Sequence, residues 1–271
     1  MRLSASLVLY NNDPNDFGAA IASYLDGSDG TLTVIDNSPA PLTHPLFADG
    51  RVKYVFAGEN LGFGRGHNRA LEMIGSRSDV HLLLNPDVVF GTEVLPALLD
   101  FLHKHPEAGA VMPSIRYRDG SLQRLCKLLP TPVDLLLRRF VPIAALRRRI
   151  NHRYELHCLP QSAPTAVPSL SGCFLLVRTQ ALIAIGGFDE RFFMYMEDVD
   201  LVRRIGDRWS TMYEPRVAVT HGYAKASYSD PRLRAAHIRS ALIYFKKWGF
   251  MVDRTRRDRN RATLGRLHRQ P

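Results

Sequence analysis

Three stretches hold the side chains able to do chemistry. The first runs Gly58-Glu59-Asn60-Leu61-Gly62-Phe63-Gly64-Arg65-Gly66-His67-Asn68. Its glycines allow close backbone approach and lead into a helix, whose first N–H groups and dipole suit an anion such as a diphosphate. The spacing is not that of a GxGxxG dinucleotide fingerprint. Any tight strand-to-helix turn uses glycines in the same way. The second stretch is Asn85-Pro86-Asp87. Alone, a strand-end Asp caps a turn. With a second ligand it holds a cation, because Mg²⁺ or Mn²⁺ on a diphosphate takes few protein ligands, mostly carboxylates. His221, after Ala218-Val219-Thr220, is a candidate second ligand better suited to Mn²⁺. Taken singly it is more often a hydrogen-bonded structural histidine. The third stretch runs from Phe188-Asp189-Glu190 through Phe192-Phe193-Met194-Tyr195-Met196 to Glu197-Asp198-Val199-Asp200. Carboxylates at a helix start are favoured by the dipole. Beside an apolar approach, one of them suits a general base acting on a hydroxyl.

The elements that must position these groups follow from pattern. Residues 3–10, 31–38, 52–56 and 80–84 read as strands, the last continuously apolar, as in a sheet covered on both faces. Helices are expected over 16–25 (capped by Asn15 or Asp16), from about Gly66 to Ile74, and over 92–104 behind Thr92. This alternation predicts an α/β fold with a mostly parallel central sheet flanked by helices. Ligands then bind at the carboxyl ends of strands. Asn11-Asn12-Asp13, Asp36-Asn37-Ser38 and Asn85-Pro86-Asp87 all fall there. A strand region follows at 106–118, and 120–168 reads as irregular and proline-rich. Strands over 172–177 and 210–221 and helices over 179–185, from Glu197 and over 231–248 complete the pattern.

The 271 residues carry 36 Lys+Arg against 26 Asp+Glu, a net charge of +10. Most of that excess lies in 246–271, where nine basic residues face Asp253 and Asp258. A nucleic-acid reader carries its charge on the folded body, and a tail-bound nucleic acid leaves the 189–200 acids unexplained, so no nucleic-acid partner is expected. A second basic set, Arg138, Arg139, Arg147, Arg148, Arg149 and Arg153, brackets an apolar run. It reads equally as an interfacial segment at anionic lipid or as a solvated helix. The three cysteines, Cys126, Cys158 and Cys173, form no CxxC pair, which argues against a zinc ribbon or thioredoxin site and for a reducing compartment. No stretch reaches the ~18 apolar residues of a membrane span, so a soluble or peripheral protein is expected.

Together, Asp36-Asn37-Ser38, Asn60-Leu61-Gly62-Phe63-Gly64 with Asn68, Asn85-Pro86-Asp87, Ser171-Gly172-Cys173, Gly186-Gly187-Phe188-Asp189-Glu190 and Glu197-Asp198-Val199-Asp200 resemble glycosyltransferase family 2, with its Rossmann-like GT-A fold. The resemblance covers about residues 4–225, and its details are similar to bacterial rhamnosyltransferases of cell-surface polysaccharide assembly. It implies one catalytic domain over 1–245, with a nucleotide-binding half (1–105), an acceptor-side half (106–245) and a basic tail (246–271). It implies that the donor nucleotide lies against Tyr10, Asn11, Asp36 and Asn37, with Asn60, Gly62, Gly66, Asn68, Asn85 and Asp87 completing the nucleotide-sugar site. Asp87 and His221 are the implied ligands of Mg²⁺ or Mn²⁺, and Asp198 the implied base. Gly172, Asp189, Tyr195, Glu197 and Asp200 form the implied acceptor side. Asn85 departs from the family's metal motif, leaving one carboxylate where two are usual.

The implied reaction is a single inverting displacement from a nucleotide-diphosphate sugar, with dTDP-β-L-rhamnose favoured. The implied acceptor is a lipid-linked glycan, reached from the cytoplasmic, anionic inner face of the membrane. A nucleotidyltransferase or other nucleotide-diphosphate enzyme is the alternative. It requires a basic loop after the first strand, whereas no Lys or Arg occurs between that strand and Arg51.

Overall fold

The computed structural model describes residues 1–135, 144–222 and 231–269. The first four strands are β1 (Leu3–Leu9), β2 (Thr31–Asp36), β3 (Val52–Phe56) and β4 (Val80–Leu84), with helices α1 (Pro14–Gly27) and α2 (Phe63–Ile74) between them. The strands lie in the order β3-β2-β1-β4, all parallel. Every residue of β4 is buried, His81 included, as in a strand covered on both faces. Leu9 pairs with Asp36 and Leu7 with Leu84, so the segments after β1, β2 and β4 emerge on one rim.

Beyond β4 the sheet turns mixed. After β5 (Val88–Val89), α3 (Val94–Lys104) and β6 (Ala108–Arg116) come two helices, α4 (Pro132–Leu135) and α5 (Ala144–Tyr154), and the short strand β7 (Thr165–Ala166). β8 (Phe174–Arg178) then runs antiparallel to both β4 and β6. α6 (Thr179–Ile185) and α7 (Glu197–Ile205) precede β9 (Ser210–His221), which pairs parallel with β6 and antiparallel with β5 and β7. Parallel pairing therefore holds for the amino-terminal half, and β8 and the β5 and β7 edges reverse it. A register shift between Pro113 and Ser114 brings the end of β9 back so that His221 faces Val88.

Three expected boundaries move. α1 starts at Pro14 because Asp13 caps it, its carboxylate accepting from Asn15 N, and proline suits the first turn. α2 starts at Phe63, three residues before Gly66. α3 starts at Val94 behind Glu93, with no side-chain cap. The segment 120–168 is more ordered than its prolines suggest, since α4, α5 and β7 fall within it. Part of the Arg-flanked segment, 138–143, lies outside the described residues.

The carboxy-terminal residues fold onto the body. α8 (Pro231–Trp248) runs through the expected boundary at 245, and α9 (Arg254–Leu267) follows. Tyr244, Phe245 and Ala241 of α8 bury against Phe192 and Met196 as a small second core. Asn260 of α9 bonds both the N–H and the carbonyl of Leu129, at 2.9 and 2.8 Å, and Leu267 joins the main core. Under the sheet, buried polar groups meet in series. Ser6 Oγ contacts His67 Nδ1 at 2.6 Å and His81 Nε2 at 2.7 Å. Ser4 Oγ contacts His81 Nδ1 and Ser78 Oγ at 2.8 Å each, and Ser78 meets Thr179 at 3.1 Å.

Candidate active site

The metal-side rim is built where β4 ends beside β9. Asn85 N–H donates to the Cys173 carbonyl at 2.8 Å, and Gly222 N–H donates to the Asp87 carbonyl at 2.7 Å. These ties set Asp87 Oδ1 3.2 Å from His221 Nε2. Gln123 orients the histidine, its Oε1 3.0 Å from Nδ1 and its amide donating to the His221 carbonyl at 2.9 Å. Burial opposes charge on His221, yet Asp87 and the Cys173 thiol outweigh it and raise its pKa to about 10.

The pair fits a hard or borderline cation. With bonds of about 2.1 Å, cis ligands of an octahedron stand roughly 3 Å apart, close to the observed separation. Gln123 accepts from Nδ1, so a cation at Nε2 would take the place of the proton now shared with Asp87, with Gln123 as the outer-shell partner of a ligating histidine. Asn85 Oδ1 is buried without a hydrogen-bond partner among the described residues, a further oxygen donor on the same rim. No cluster of three His, Cys, Asp or Glu suited to a metal occurs among the described residues. A cation here therefore relies on ligand oxygens or water for the rest of its shell.

The base-side rim is the start of α7. Tyr195 and Met196 both adopt φ 67°, the left-handed region that side chains disfavour. Two such residues in succession, each costing about 1–3 kcal/mol, swing the chain so that Glu197 and Asp198 open the helix. Their conformation is held from both sides. Ser240 of α8 donates to the Met194 carbonyl at 2.7 Å, and Phe63 N–H donates to the Phe193 carbonyl at 3.1 Å. Asp198 accepts from Gly172 N at 3.1 Å and from Val199 N at 2.8 Å. A Cβ on Gly172 would lie 3.2 Å from the Asp198 Cβ, a tight contact that the glycine avoids.

Burial raises both carboxyl pKa values. That of Glu197 reaches about 8, with Asp198 adding to the burial effect. The backbone N–H bonds and Lys127 favour the anion on Asp198. Glu197 Oε2, by contrast, is buried without a partner among the described residues. The proton of the pair therefore rests on Glu197, and Asp198 is the anion.

Both rims open onto one cavity of about 410 Å³, whose lining includes Phe63, Asn85, Lys127, Ser171, Gly172, Cys173, Tyr195, Glu197, Asp198, His221 and His237. A larger hollow of about 750 Å³ lies at the opposite, amino-terminal ends of β1–β3 and holds none of these groups.

Several expected residues lie elsewhere. Tyr10 and Asn11 sit at the β1 end, Tyr10 exposed and Asn11 at φ 53° with its N–H donated to Ser38 Oγ. Asp36 is fully buried, and Ser38 N, Leu42 N and Tyr54 OH occupy its carboxylate, so it shapes the loop after β2. Asn37 donates to the Gly62 carbonyl and leaves a buried Oδ1 with no partner among the described residues.

The glycine loop is a packing joint. Asn60 caps Gly62 N at 3.0 Å, and a Cβ on Gly62 (φ 80°) would collide with the Phe193 carbonyl. A Cβ on Gly66 would lie 2.8 Å from Val8. Phe63 N–H, at the head of α2, is already taken by the Phe193 carbonyl. Asn68 bonds Phe188 N and O and Glu190, locking α2 to the 187–190 turn. Asp189 pairs with Arg191 and Lys247, and fully buried Asp200 with Arg204, Lys247 and Trp248. Asp200 faces α8 and is absent from the cavity lining, and its contacts there tie α7 to α8.

Sequence reasoning missed Gln123, Lys127, Tyr154 and His237. The first three come from the stretch read as irregular, and only tertiary packing brings them to the rim.

The family model for glycosyltransferase-like family 2 matches residues 30–241. The chain is 37% identical over 209 residues to N-acetylglucosaminyl-diphospho-decaprenol L-rhamnosyltransferase of Mycobacterium tuberculosis, covering 71% of this chain and 66% of that protein. It is 22% identical over 207 residues to rhamnosyltransferase WbbL of Escherichia coli, covering 73% and 75%. The fold matches that of a mannosyltransferase from Pyrobaculum calidifontis solved with GDP-Man and Mn²⁺, at TM-score 0.63 and 15% identity over 99% of this chain and 70% of that one. By its strand-end rims, its paired carboxylates and the family model that spans most of its length, the chain belongs to glycosyltransferase-like family 2.

Proposed function

We propose that the protein is an inverting glycosyltransferase that moves L-rhamnose from dTDP-β-L-rhamnose onto a hydroxyl of a lipid-linked glycan. The observation that carries this is the single cavity bounded by Asp198 on one side and by Asn85 and His221 on the other. Asp198 takes the proton of the acceptor hydroxyl as its oxygen attacks the anomeric carbon. The bond from that carbon to the nucleotide diphosphate breaks, its electron pair leaving with the diphosphate on the opposite face, and a β-linked donor gives an α-rhamnoside. Neutral Glu197 beside Asp198 keeps a second negative charge out of the pocket. Asp87 and His221, with Asn85 adjacent, would hold Mg²⁺ or Mn²⁺, which would supply Lewis-acid stabilisation of negative charge on the diphosphate.

The rhamnosyl donor and lipid-linked acceptor are supported by what the relatives are named for: both are rhamnosyltransferases, and the mycobacterial one carries a diphospho-decaprenol acceptor in its name. No helix among the described residues is long and apolar enough to cross a membrane. The enzyme then reaches a lipid-linked acceptor as a peripheral protein on the anionic inner face.

Two measurements test the reading. Asp198→Asn is expected to lower kcat by about 10²–10⁴, the usual worth of a general base, with donor binding retained. Lost donor affinity with surviving turnover removes Asp198 from the role. A thermal-shift panel of UDP-, GDP- and dTDP-sugars, with and without Mn²⁺ or Mg²⁺, is expected to single out a dTDP-sugar, since a bound ligand raises stability by mass action. Stabilisation by UDP- or GDP-sugars alone overturns the donor assignment.

A further inference from the structure

Residues 249–253 join α8 to α9 in a turn fixed from several directions. Gly249 takes φ 99°, and a Cβ there would collide with the Val252 carbonyl. The buried Arg256 guanidinium donates to the carbonyls of Gly249, Phe250 and Pro130 at 3.2, 3.0 and 3.3 Å. Asp253 grips both ends of Arg203 at 2.7 and 2.8 Å and caps α9 through Arg256 N at 2.9 Å. The Phe250 ring lies 5.4 Å from that of Phe245. From this rigid base Met251 and Val252 project into solvent, 84% and 80% exposed. A contiguous apolar tip held out by buried ion pairs marks a surface that something covers.

Its surroundings say what. Met251, Val252 and Leu264 share a groove of about 610 Å³ with Arg153, Arg254, Arg257 and Arg261. The groove's acid, Asp253, is already paired with Arg203. Ile238 and Leu242, one turn apart on the outer face of α8, are 44% and 47% exposed, and Lys246 follows one turn on. An apolar edge ringed by cations is the pattern of a helix pair seated in anionic headgroups. A second copy of the chain would bring like arginines together, which disfavours self-pairing. The same α8 lines the catalytic cavity through His237.

We propose that the Phe250–Val252 turn enters the headgroup boundary of an anionic bilayer while Arg153, Arg254, Arg257 and Arg261 meet lipid phosphates. This rests on the peripheral membrane reading above and names the surface responsible. Each cation near such a surface contributes about 1 kcal/mol and is screened by salt. The apolar tip supplies the part that salt does not remove.

The test is co-sedimentation of the full chain with sucrose-loaded vesicles of phosphatidylcholine, alone or with about 30 mol% phosphatidylglycerol, a fraction giving a strongly anionic surface. Two variants are compared, Met251→Ser with Val252→Ser, and Arg254→Gln with Arg257→Gln and Arg261→Gln. All five side chains are exposed, so both variants are expected to melt like the parent. The parent binds the anionic vesicles, and each variant lowers partitioning by about tenfold or more, as loss of two apolar groups or three cations implies. High salt weakens the parent further only in its arginine-dependent part. If the parent binds and the serine variant binds equally, the turn is not the anchor, and the peripheral reading stands without it. If the parent binds no vesicle, the peripheral reading itself fails. A concentration-dependent dimer by light scattering, lost in the serine variant while vesicle binding persists, assigns the turn to a second copy and overturns the proposal.

Discussion

At the scale of single residues, the site turns on three carboxylates with different environments. Asp87 is half-open and meets His221 at 3.2 Å. Asp87→Ala is expected to weaken Mn²⁺-dependent donor binding by about tenfold or more, in line with loss of a metal ligand or its partner. Titration calorimetry with and without Mn²⁺ checks this, and unchanged metal dependence removes Asp87 from the site. Glu197 gives a pH signature. Its pKa stands at about 8 in the folded chain against an ordinary 4.5, raised first by burial and then by Asp198. Below pH 4.5 both states hold the proton and its contribution is fully present. As pH rises toward 8 the unfolded chain releases its proton first, so stability falls across that window. Glu197→Gln is expected to flatten the fall, read as urea midpoints between pH 5 and 8.5. Asp198, Glu197 and His221 are legible in the sequence because carboxylates beside a Phe-Met-Tyr run and a histidine ending an apolar strand are local patterns. Lys127 and Gln123 are not, since neither sits in a periodic segment: Lys127 reaches the rim through backbone pairing with Ser169, and Gln123 through its bonds to His221 at the end of β9.

Among the elements, the first four strands and the helices between them follow from apolar runs bounded by turn residues. The reversal at β8 does not, because a run such as Phe174–Arg178 carries no mark of the direction in which it pairs. The glycine loop shows the other limit of sequence. Close backbone approach is right, but the approaching group is the chain itself, the Phe193 carbonyl and the Val8 side chain. This joint links α2 to the strained residues 195–196 and hence to Asp198. Gly62→Ala, at φ 80° and against Phe193, is expected to cost about 1–3 kcal/mol, a fall in Tm of roughly 2–5 °C for a chain of this size. Calorimetry measures it, and an unshifted Tm contradicts the contact.

For the whole molecule, the basic carboxy-terminal segment is part of the fold. Arg203, 2% exposed, is held by Asp253, by the Tyr244 hydroxyl and against the Trp248 ring at 4.0 Å, which ties α7 to both α8 and α9. Asp253→Ala leaves that guanidinium buried without its anion and is expected to cost about 3–5 kcal/mol, read from urea unfolding. Sequence showed the charge of 246–271 but not its docking, because Asn260, Thr263 and Leu267 are too sparse a set to signal a buried face. The buried series beneath the sheet has a consequence of its own. Ser4 gives its proton to Ser78, so its oxygen must receive from His81 Nδ1. His81 Nε2 is then bare and takes the proton of Ser6, whose oxygen in turn receives from His67 Nδ1. One hydroxyl thereby sets the polarity of the entire column, leaves a lone pair instead of an N–H at His67 Nε2, which has no partner among the described residues, and fixes both uncharged imidazoles in the same, rarer tautomer, a state that nitrogen NMR reads directly.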